Sequence, residues 1–472
     1  MPANRGPRIT HEDDSMQRLP TGIPGLDHLL NGGYPAGRVS LIRGASGSGK
    51  SLCALMLASA QPGGAIYGTF DEAPERLQGY LSNWRTESDV HFLDFRAEDD
   101  LVNESFSGVE LGGLLVRIEH ALALHDTRVV ILDAFDSVAT TFGNTETIRR
   151  SMTAVFNWAR NNDVTLLVTG GVDADYRSAT GLMDYLADCV IEIGQAIEGN
   201  LMTRTLRVIK LRGAGHGTNV YPFLIDEHGI WLLPITDTAL TAPALRERQS
   251  TGIPELDEAL GGTGVWSGST VLISGTSGTG KTIIAAHMAE TFCKAGKKTL
   301  FLSFEESPQQ LLRDVASVGI SLSSAMEEGR LFLEARRAVE RGVEEHLIWL
   351  FHETHRRGVD TVIIDPISAL SDVASARSFK NLVLRVAHQL KSEGLTLVLL
   401  ELIGDDGSGQ SSLNMSSLID TWIRLERVRR DNHFHRTLHV HKSRGSSTSS
   451  EVMDFEITAR GLTLTSTTAR QA

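Results

Sequence analysis

Short runs rich in Val, Ile and Leu alternate with longer stretches whose apolar residues recur at helical spacing, and this alternation passes along the chain twice. In the first half the runs 39–42, 65–68, 129–133 and 164–169 predict strands, while 52–60 and 147–161 predict helices. In the second half 270–273, 299–303 and 362–365 predict strands, and 283–289 predicts a helix. Strands separated by helical patterns predict βα units around a parallel sheet. Late in each half the pattern changes to hairpins, 189–193 with 205–210 and 421–428 with 436–441, so each parallel core is expected to carry an antiparallel extension. The expected fold class is α/β, with mainly parallel sheets flanked by helices.

The halves also repeat one another in sequence. TGIPGLD at 21–27 returns as TGIPELD at 251–257, and GASGSGKS at 44–51 returns as GTSGTGKT at 275–282, 231 residues on. Phe70, Asp71 and Glu72 match Phe304, Glu305 and Glu306; Lys210, Leu211, Arg212 and Gly213 match Lys442, Ser443, Arg444 and Gly445. Four motifs in one order at nearly one offset indicate duplication of a whole domain, since solenoid repeats run only about 20 to 50 residues. A chain of 472 residues accordingly predicts two cores. The polar stretch 234–250 reads as the linker, with the boundary near Leu245: a polar leader at 1–17, then domains 18–245 and 246–472.

Each G-x-x-x-x-G-K-[ST] segment lies between a predicted strand and a predicted helix, the context its chemistry requires. Backbone N–H groups of Gly44, Ser46, Gly47, Ser48 and Gly49, and of Gly275, Thr276, Ser277, Gly278, Thr279 and Gly280, can curl around the phosphates of ATP. Lys50 or Lys281 neutralises the β and γ phosphates, and Ser51 or Thr282 offers a hydroxyl to Mg²⁺. Asp133 and Asp365 end apolar strands, where a carboxylate can complete that metal site. Asp71 with Glu72, and Glu305 with Glu306, follow the second strand of each half; adjacent carboxylates raise each other's proton affinity, which suits a general base. Lys210 and Arg212, like Lys442 and Arg444, come too late to belong to their own phosphate loop and could reach a neighbour's phosphate as a trans arginine finger does. His433, His435, His439 and His441 alternate along one strand; without a recurring carboxylate or cysteine partner they read as an exposed strand face rather than a metal site.

Composition narrows the setting. With 41% hydrophobic and 22% charged residues and no apolar stretch near the roughly 20 residues that span a bilayer, the chain reads as a soluble protein without a membrane role. The polar N-terminus carries no signal segment, so a cytoplasmic location is expected. Cys53, Cys189 and Cys293 fall in apolar surroundings and predict packed thiols. A net charge of −13 argues against nucleic acid as a partner.

Taken together, the motifs resemble those of the KaiC family of circadian clock ATPases and autokinases, tandem members of the RecA-like P-loop NTPases. The resemblance covers about 18–464 and is most specific at TGIPGLD, both phosphate loops, FEESPQQLL at 304–312 and RTLRVIKLRGAGHG at 204–217. It implies two RecA-like domains in a two-tier homohexamer with Mg-ATP between subunits, an N-terminal tier that hydrolyses ATP slowly, and a C-terminal tier that phosphorylates its neighbour. On that pattern Glu305 and Glu306 are the carboxylates of the kinase tier, and Asp71 and Glu72 those of the ATPase tier. Lys210, Leu211, Arg212 and His216 reach the first nucleotide from the adjacent subunit, Lys442 and Arg444 the second, and the phosphoacceptors fall on Ser416 and Ser417.

The chain departs from the family pattern in three places. Asp71 replaces a glutamate, the acceptor pair is Ser-Ser rather than Ser-Thr, and the sequence stops at Ala472 without the family's C-terminal loop and tail. The last point puts control by a KaiA-type partner in doubt; a KaiB-type partner on the first tier stays open. Two other classes share the core chemistry. A RecA- or helicase-like DNA motor is disfavoured by the acidic charge and by the absence of an aromatic, basic strand-binding segment. A nucleotide-gated scaffold with little catalysis keeps the loops without turnover.

Overall fold

Each half of the chain folds around a nine-stranded sheet, and the two sheets have the same strand order. The structure, a computed structural model, describes residues 17–84, 89–96, 109–137, 145–172, 177–198, 201–232, 246–404, 418–430, 432–449, 451–459 and 461–466. The leader and most of the linker lie outside these residues. Contacts divide the chain into two units, 1–196 with 204–234 and 197–203 with 235–472.

The first sheet contains β1 (Val39–Gly44), β2 (Ala65–Thr69), β3 (Val90–Asp94), β4 (Val129–Asp133), β5 (Thr165–Gly170), β6 (Cys189–Glu198), β7 (Leu201–Leu211), β8 (Tyr221–Asp226) and β9 (Gly229–Leu232), in the order β3-β2-β4-β5-β1-β6-β7-β8-β9. The strands from β3 to β6 pair in parallel, and β8 pairs antiparallel with β7 and β9. The second sheet runs through β10 (Thr270–Gly275), β11 (Thr299–Ser303), β12 (Leu331–Ala335), β13 (Thr361–Asp365), β14 (Thr396–Leu402), β15 (Thr421–Arg430), β16 (His433–Ser443), β17 (Met453–Thr458) and β18 (Gly461–Ser466). Its order is β12-β11-β13-β14-β10-β15-β16-β17-β18, with the antiparallel extension beginning at the β15–β16 pair. The expected α/β class with two RecA-like domains is the observed one.

Central strands are buried at every position because helices cover both faces, so they read as continuous apolar runs. Alternate residues of the first sheet serve two cores. Ile42, Ile131 and Leu167 pack with helix α1 (Lys50–Ser59), whereas Leu41, Val130, Leu132, Leu166 and Val168 pack with helix α2 (Thr145–Asn161). Helix α1 leaves the phosphate loop between sheet and outer elements, which is why Cys53, Ala54, Leu55, Leu57 and Ala58 are all at most 1% exposed. Helix α2 is amphipathic: Met152, Val155, Phe156 and Ala159 recur at helical spacing and are buried. Each fully buried Leu, Ile or Phe contributes about 1.5–3 kcal/mol.

The equivalent of α1 in the second domain is α3 (Lys281–Lys294), and the helix after FEES is α4 (Pro308–Ala316). The latter starts on a capping box: Ser307 Oγ accepts from Gln310 N (3.3 Å) while Ser307 N donates to Gln310 Oε1 (3.0 Å). The TGIP-x-LD repeats prove structural, since Asp27 Oδ1 accepts from Thr21 N (2.7 Å) and Asp257 Oδ1 from Thr251 N (2.8 Å), closing the same turn before the same short helix. The end of the polar stretch read as linker is already strand, Arg248–Gln249 pairing with Val265–Trp266. Cys53, Cys189 and Cys293 are buried free thiols, and burial pushes Cys53 and Cys189 up to about 12. Among the described residues no helix is long and apolar enough to cross a membrane.

Candidate functional site: two phosphate loops

Both phosphate loops begin where a central strand ends against its neighbour. A side chain at Gly44 would meet Ile193 O at 2.4 Å, and one at Gly275 would meet Leu425 O at 2.6 Å, so these glycines let the loop leave flush with the sheet. Gly49 (φ 107°) and Gly280 (φ 103°) then turn the chain through the left-handed region into α1 and α3. Lys50 Nζ donates to Gly44 O (2.9 Å) and Ala45 O (3.0 Å), and Lys281 Nζ to Gly275 O (2.8 Å) and Thr276 O (2.9 Å). Each ammonium is thus held over its own loop.

The hydroxyl that ends each loop meets the strand-end aspartate. Ser51 Oγ donates to Asp133 Oδ1 (3.1 Å) and Thr282 Oγ1 to Asp365 Oδ2 (2.7 Å). Asp133 also accepts from Thr169 Oγ1 (2.6 Å). Burial raises both carboxylates; Asp365, with Glu306 and Glu305 adding their charges, reaches about 6 despite its hydrogen bond to Thr282. A hydroxyl beside a desolvated carboxylate suits a hard, oxygen-seeking divalent cation. Among the described residues no group of three or more His, Cys, Asp or Glu side chains forms a separate metal centre, the alternating histidines included.

Next to these aspartates stand the paired carboxylates. The turn after β2 is tied to β4 by Phe70 N donating to Asp133 O (3.1 Å), and the turn after β11 to β13 by Phe304 N donating to Asp365 O (2.8 Å). The turn carrying Asp71 and Glu72 is thereby set beside Asp133, and the turn carrying Glu305 and Glu306 beside Asp365. Glu72 is raised by burial against a nearby Arg76 at 3.3 Å, and Glu306 by burial and by the charges of Asp314 and Glu305. In the second domain a cavity of about 310 Å³ opens between Thr276, Ser277 and Glu305.

The basic triplets are not brought to their own loops. Arg212 N donates to Asp188 O, and Asp188 N to Val39 O, which sets Lys210, Leu211 and Arg212 at the start of β1 while the loop lies at its end. The six residues from Val39 to Gly44, five steps of about 3.3 Å, separate them along the strand by about 17 Å. Lys210 Nζ donates to Asp184 O (3.0 Å) and Tyr185 O (3.1 Å), and Arg212 Nη1 to Asp188 Oδ1 (3.2 Å). His216 Nδ1 lies 3.1 Å from Gly217 O. In the second domain Lys442 Nζ donates to Ile419 O (2.9 Å), and Arg444 lies 3.8 Å from Asp420. Ser416 and Ser417 lie outside the described residues.

In the second domain a different arginine sits at the loop, one that motif reading passed over, and the first domain has its register equivalent. Arg436 Nε on β16 donates to Gly278 O at 3.3 Å, inside the phosphate loop. Arg436 pairs with Phe455, whose ring covers Gly280; in the first domain Arg204 pairs with Phe223, whose ring covers Gly49. The signal was present in the repeated Arg-Thr-Leu of 204–206 and 436–438, but only strand register brings it to the phosphates.

Comparison with known proteins agrees with this geometry. The sequence model of the KaiC ATPase family matches twice, over residues 19–237 and 249–469. The circadian clock protein KaiC2 of Synechocystis is 33% identical over 95% of this chain and 82% of its own length. KaiC3 of the same organism is 28% identical over 96% and 93%, and the circadian clock oscillator protein KaiC of Synechococcus elongatus 29% identical over 96% and 90%. Two complete phosphate-loop domains of one strand order, matched from end to end by these relatives, establish that the chain belongs to the KaiC ATPase family.

Proposed function

We propose that this KaiC-family ATPase binds Mg-ATP at both phosphate loops, hydrolyses it in the first domain and transfers the γ-phosphate to serine hydroxyls in the second, working as a homohexameric ring. The observation that carries the reading is the separation within each sheet: the loop is complete for holding a nucleotide, yet Lys210 and Arg212, or Lys442 and Arg444, lie at the opposite end. A neighbour's loop is the remaining phosphate within their reach.

Bound Mg²⁺ would supply charge neutralisation across the β and γ phosphates. Ser51 with Asp133, and Thr282 with Asp365, would hold it. Lys50 and Lys281 exchange their loop carbonyls for phosphate oxygens, and Arg436 closes the second loop from the antiparallel extension. Glu72 in the first domain and Glu305, backed by Glu306, in the second orient the nucleophile and accept its proton; their recurrence beside both loops supports this role. The nucleophile is water in the first domain and Ser416 or Ser417 of an adjacent subunit in the second. A KaiB-type partner on the first domain, and a clock role like that named for the relatives, belong to the same proposal.

Mass spectrometry after incubation with Mg-ATP tests it. Phosphate on Ser416 or Ser417 that disappears in Glu305→Gln supports the kinase tier; unlabelled serines together with undiminished ATP would sink the whole reading.

A further inference from the structure

The cavity beside Glu305 has a charge pattern of its own. Its walls are Thr276 and Ser277 of the phosphate loop, Glu305, the 3₁₀ turn Ile367–Asp372 and the end of β14 at Leu402–Gly404. Its volume of about 310 Å³ corresponds to about ten waters, far more than one attacking water needs and enough for a side chain. Ser368 Oγ accepts from Leu402 N (3.1 Å) and Ser371 Oγ donates to Ser368 O (2.6 Å), which fixes the turn against β14. Two carboxylates remain on different walls, Glu305 and the exposed Asp372, and no Lys, Arg or His is among the described lining residues.

We propose that this cavity is the acceptor subsite of the second domain and that Asp372 makes it selective for a neutral serine or threonine hydroxyl over the phosphorylated side chain formed from it. The inference rests on the autokinase reading above. As the acceptor Oγ forms its bond to the γ-phosphorus, the bond from that phosphorus to the β,γ-bridging oxygen breaks, ADP leaves, and the hydroxyl proton passes to Glu305. Protonated Glu305 no longer repels the product. Asp372 keeps its charge and faces a phosphoserine of charge about −2 across an anionic cavity. Like charges on facing walls disfavour the bound product, so transfer runs toward release rather than back to ATP.

The test compares wild type with Asp372→Asn and Asp372→Glu in the full chain. Protein labelled from γ-³²P ATP is chased with excess ADP, and re-formed ATP is counted; in parallel, ³²P-labelled inorganic phosphate binding to the ADP-loaded protein is measured by equilibrium dialysis. Asp372→Asn is expected to raise the ratio of reverse to forward transfer about tenfold and to tighten phosphate binding about five- to tenfold, while Asp372→Glu stays near wild type. An unchanged ratio and unchanged phosphate affinity in Asp372→Asn would overturn the assignment. Wild type that takes no label overturns the autokinase reading and the acceptor assignment that rests on it, whereas labelled protein with an unchanged ratio overturns the role of Asp372 alone.

Discussion

Arg436 shows how a single side chain can belong to a site without belonging to a motif. Its Nε donates to Gly278 O at 3.3 Å, so a bound polyphosphate would meet a guanidinium already stationed at the loop. Charge-assisted hydrogen bonds of this kind contribute about 1.5–3 kcal/mol. Arg436→Ala is therefore expected to weaken a fluorescent ATP analogue at the second loop by about tenfold or more, and Arg204→Ala to do the same at the first. Equal affinity in the variants would remove both arginines from the site. Glycines, lysine and hydroxyl of the loops were legible because backbone geometry demands them at fixed spacing, but Arg204 and Arg436 acquire meaning only through the register that sets them against Phe223 and Phe455. His346 was equally invisible: 2% exposed, with Nε2 3.2 Å from Ala338 O, it is pushed down to about 4, chiefly by burial. Between its ordinary 6.5 and about 4 the unfolded chain binds a proton that the folded one refuses. Its full contribution is therefore present above pH 6.5 and declines as pH falls toward 4, by about 3 kcal/mol in all. Denaturant midpoints of the full chain should fall from pH 7.5 to pH 5, with a smaller fall in His346→Gln; parallel slopes would refute the assignment.

At the scale of elements, β7 and β16 are two-ended. Each carries an arginine at the end near its own loop and a Lys-x-Arg triplet at the other, because an antiparallel strand returns from the loop end of the sheet to its far end. Periodicity found the central strands, whose two buried faces leave continuous apolar runs, with the exception of β14, and found the first hairpin of each extension. It passed over β3 and β12 at the sheet edges, where Val-His-Phe-Leu-Asp and Leu-Phe-Leu-Glu-Ala mix polar residues into half-covered strands. If the triplet acts on a neighbour, Lys442→Ala chains and Lys281→Ala chains, each inactive at the second site, should complement when mixed and reassembled. An intact loop from the first would then meet an intact Lys442 from the second. Serine labelling is expected to recover to several-fold above either parent. Mixed samples no more active than the parents would show that Lys442 does not serve a neighbour's nucleotide.

For the whole molecule, duplication gives two sheets of one order but not two copies of one site. After β4 the carboxylate Asp136 accepts from Gly171 N (2.6 Å), whereas after β13 the hydroxyl of Ser368 accepts from Leu402 N (3.1 Å). The turn carboxylates differ as well, Asp71-Glu72 against Glu305-Glu306. Asp136 in the first domain, at the position where the hydroxyl of Ser368 lines the cavity in the second, fits water as the nucleophile in one and a side chain in the other. The two activities should then be separable by the isosteric amide, which keeps the turn's shape and removes only the base. Glu72→Gln is expected to lower steady-state ATP hydrolysis by about 10²-fold at the first domain while serine labelling persists, and Glu305→Gln to abolish labelling while most hydrolysis persists. Phosphate release and label incorporation, measured on the same samples, decide it. If each substitution lowered both readouts in proportion, the domains would share one reaction, and the division of labour inferred from their turns would fall.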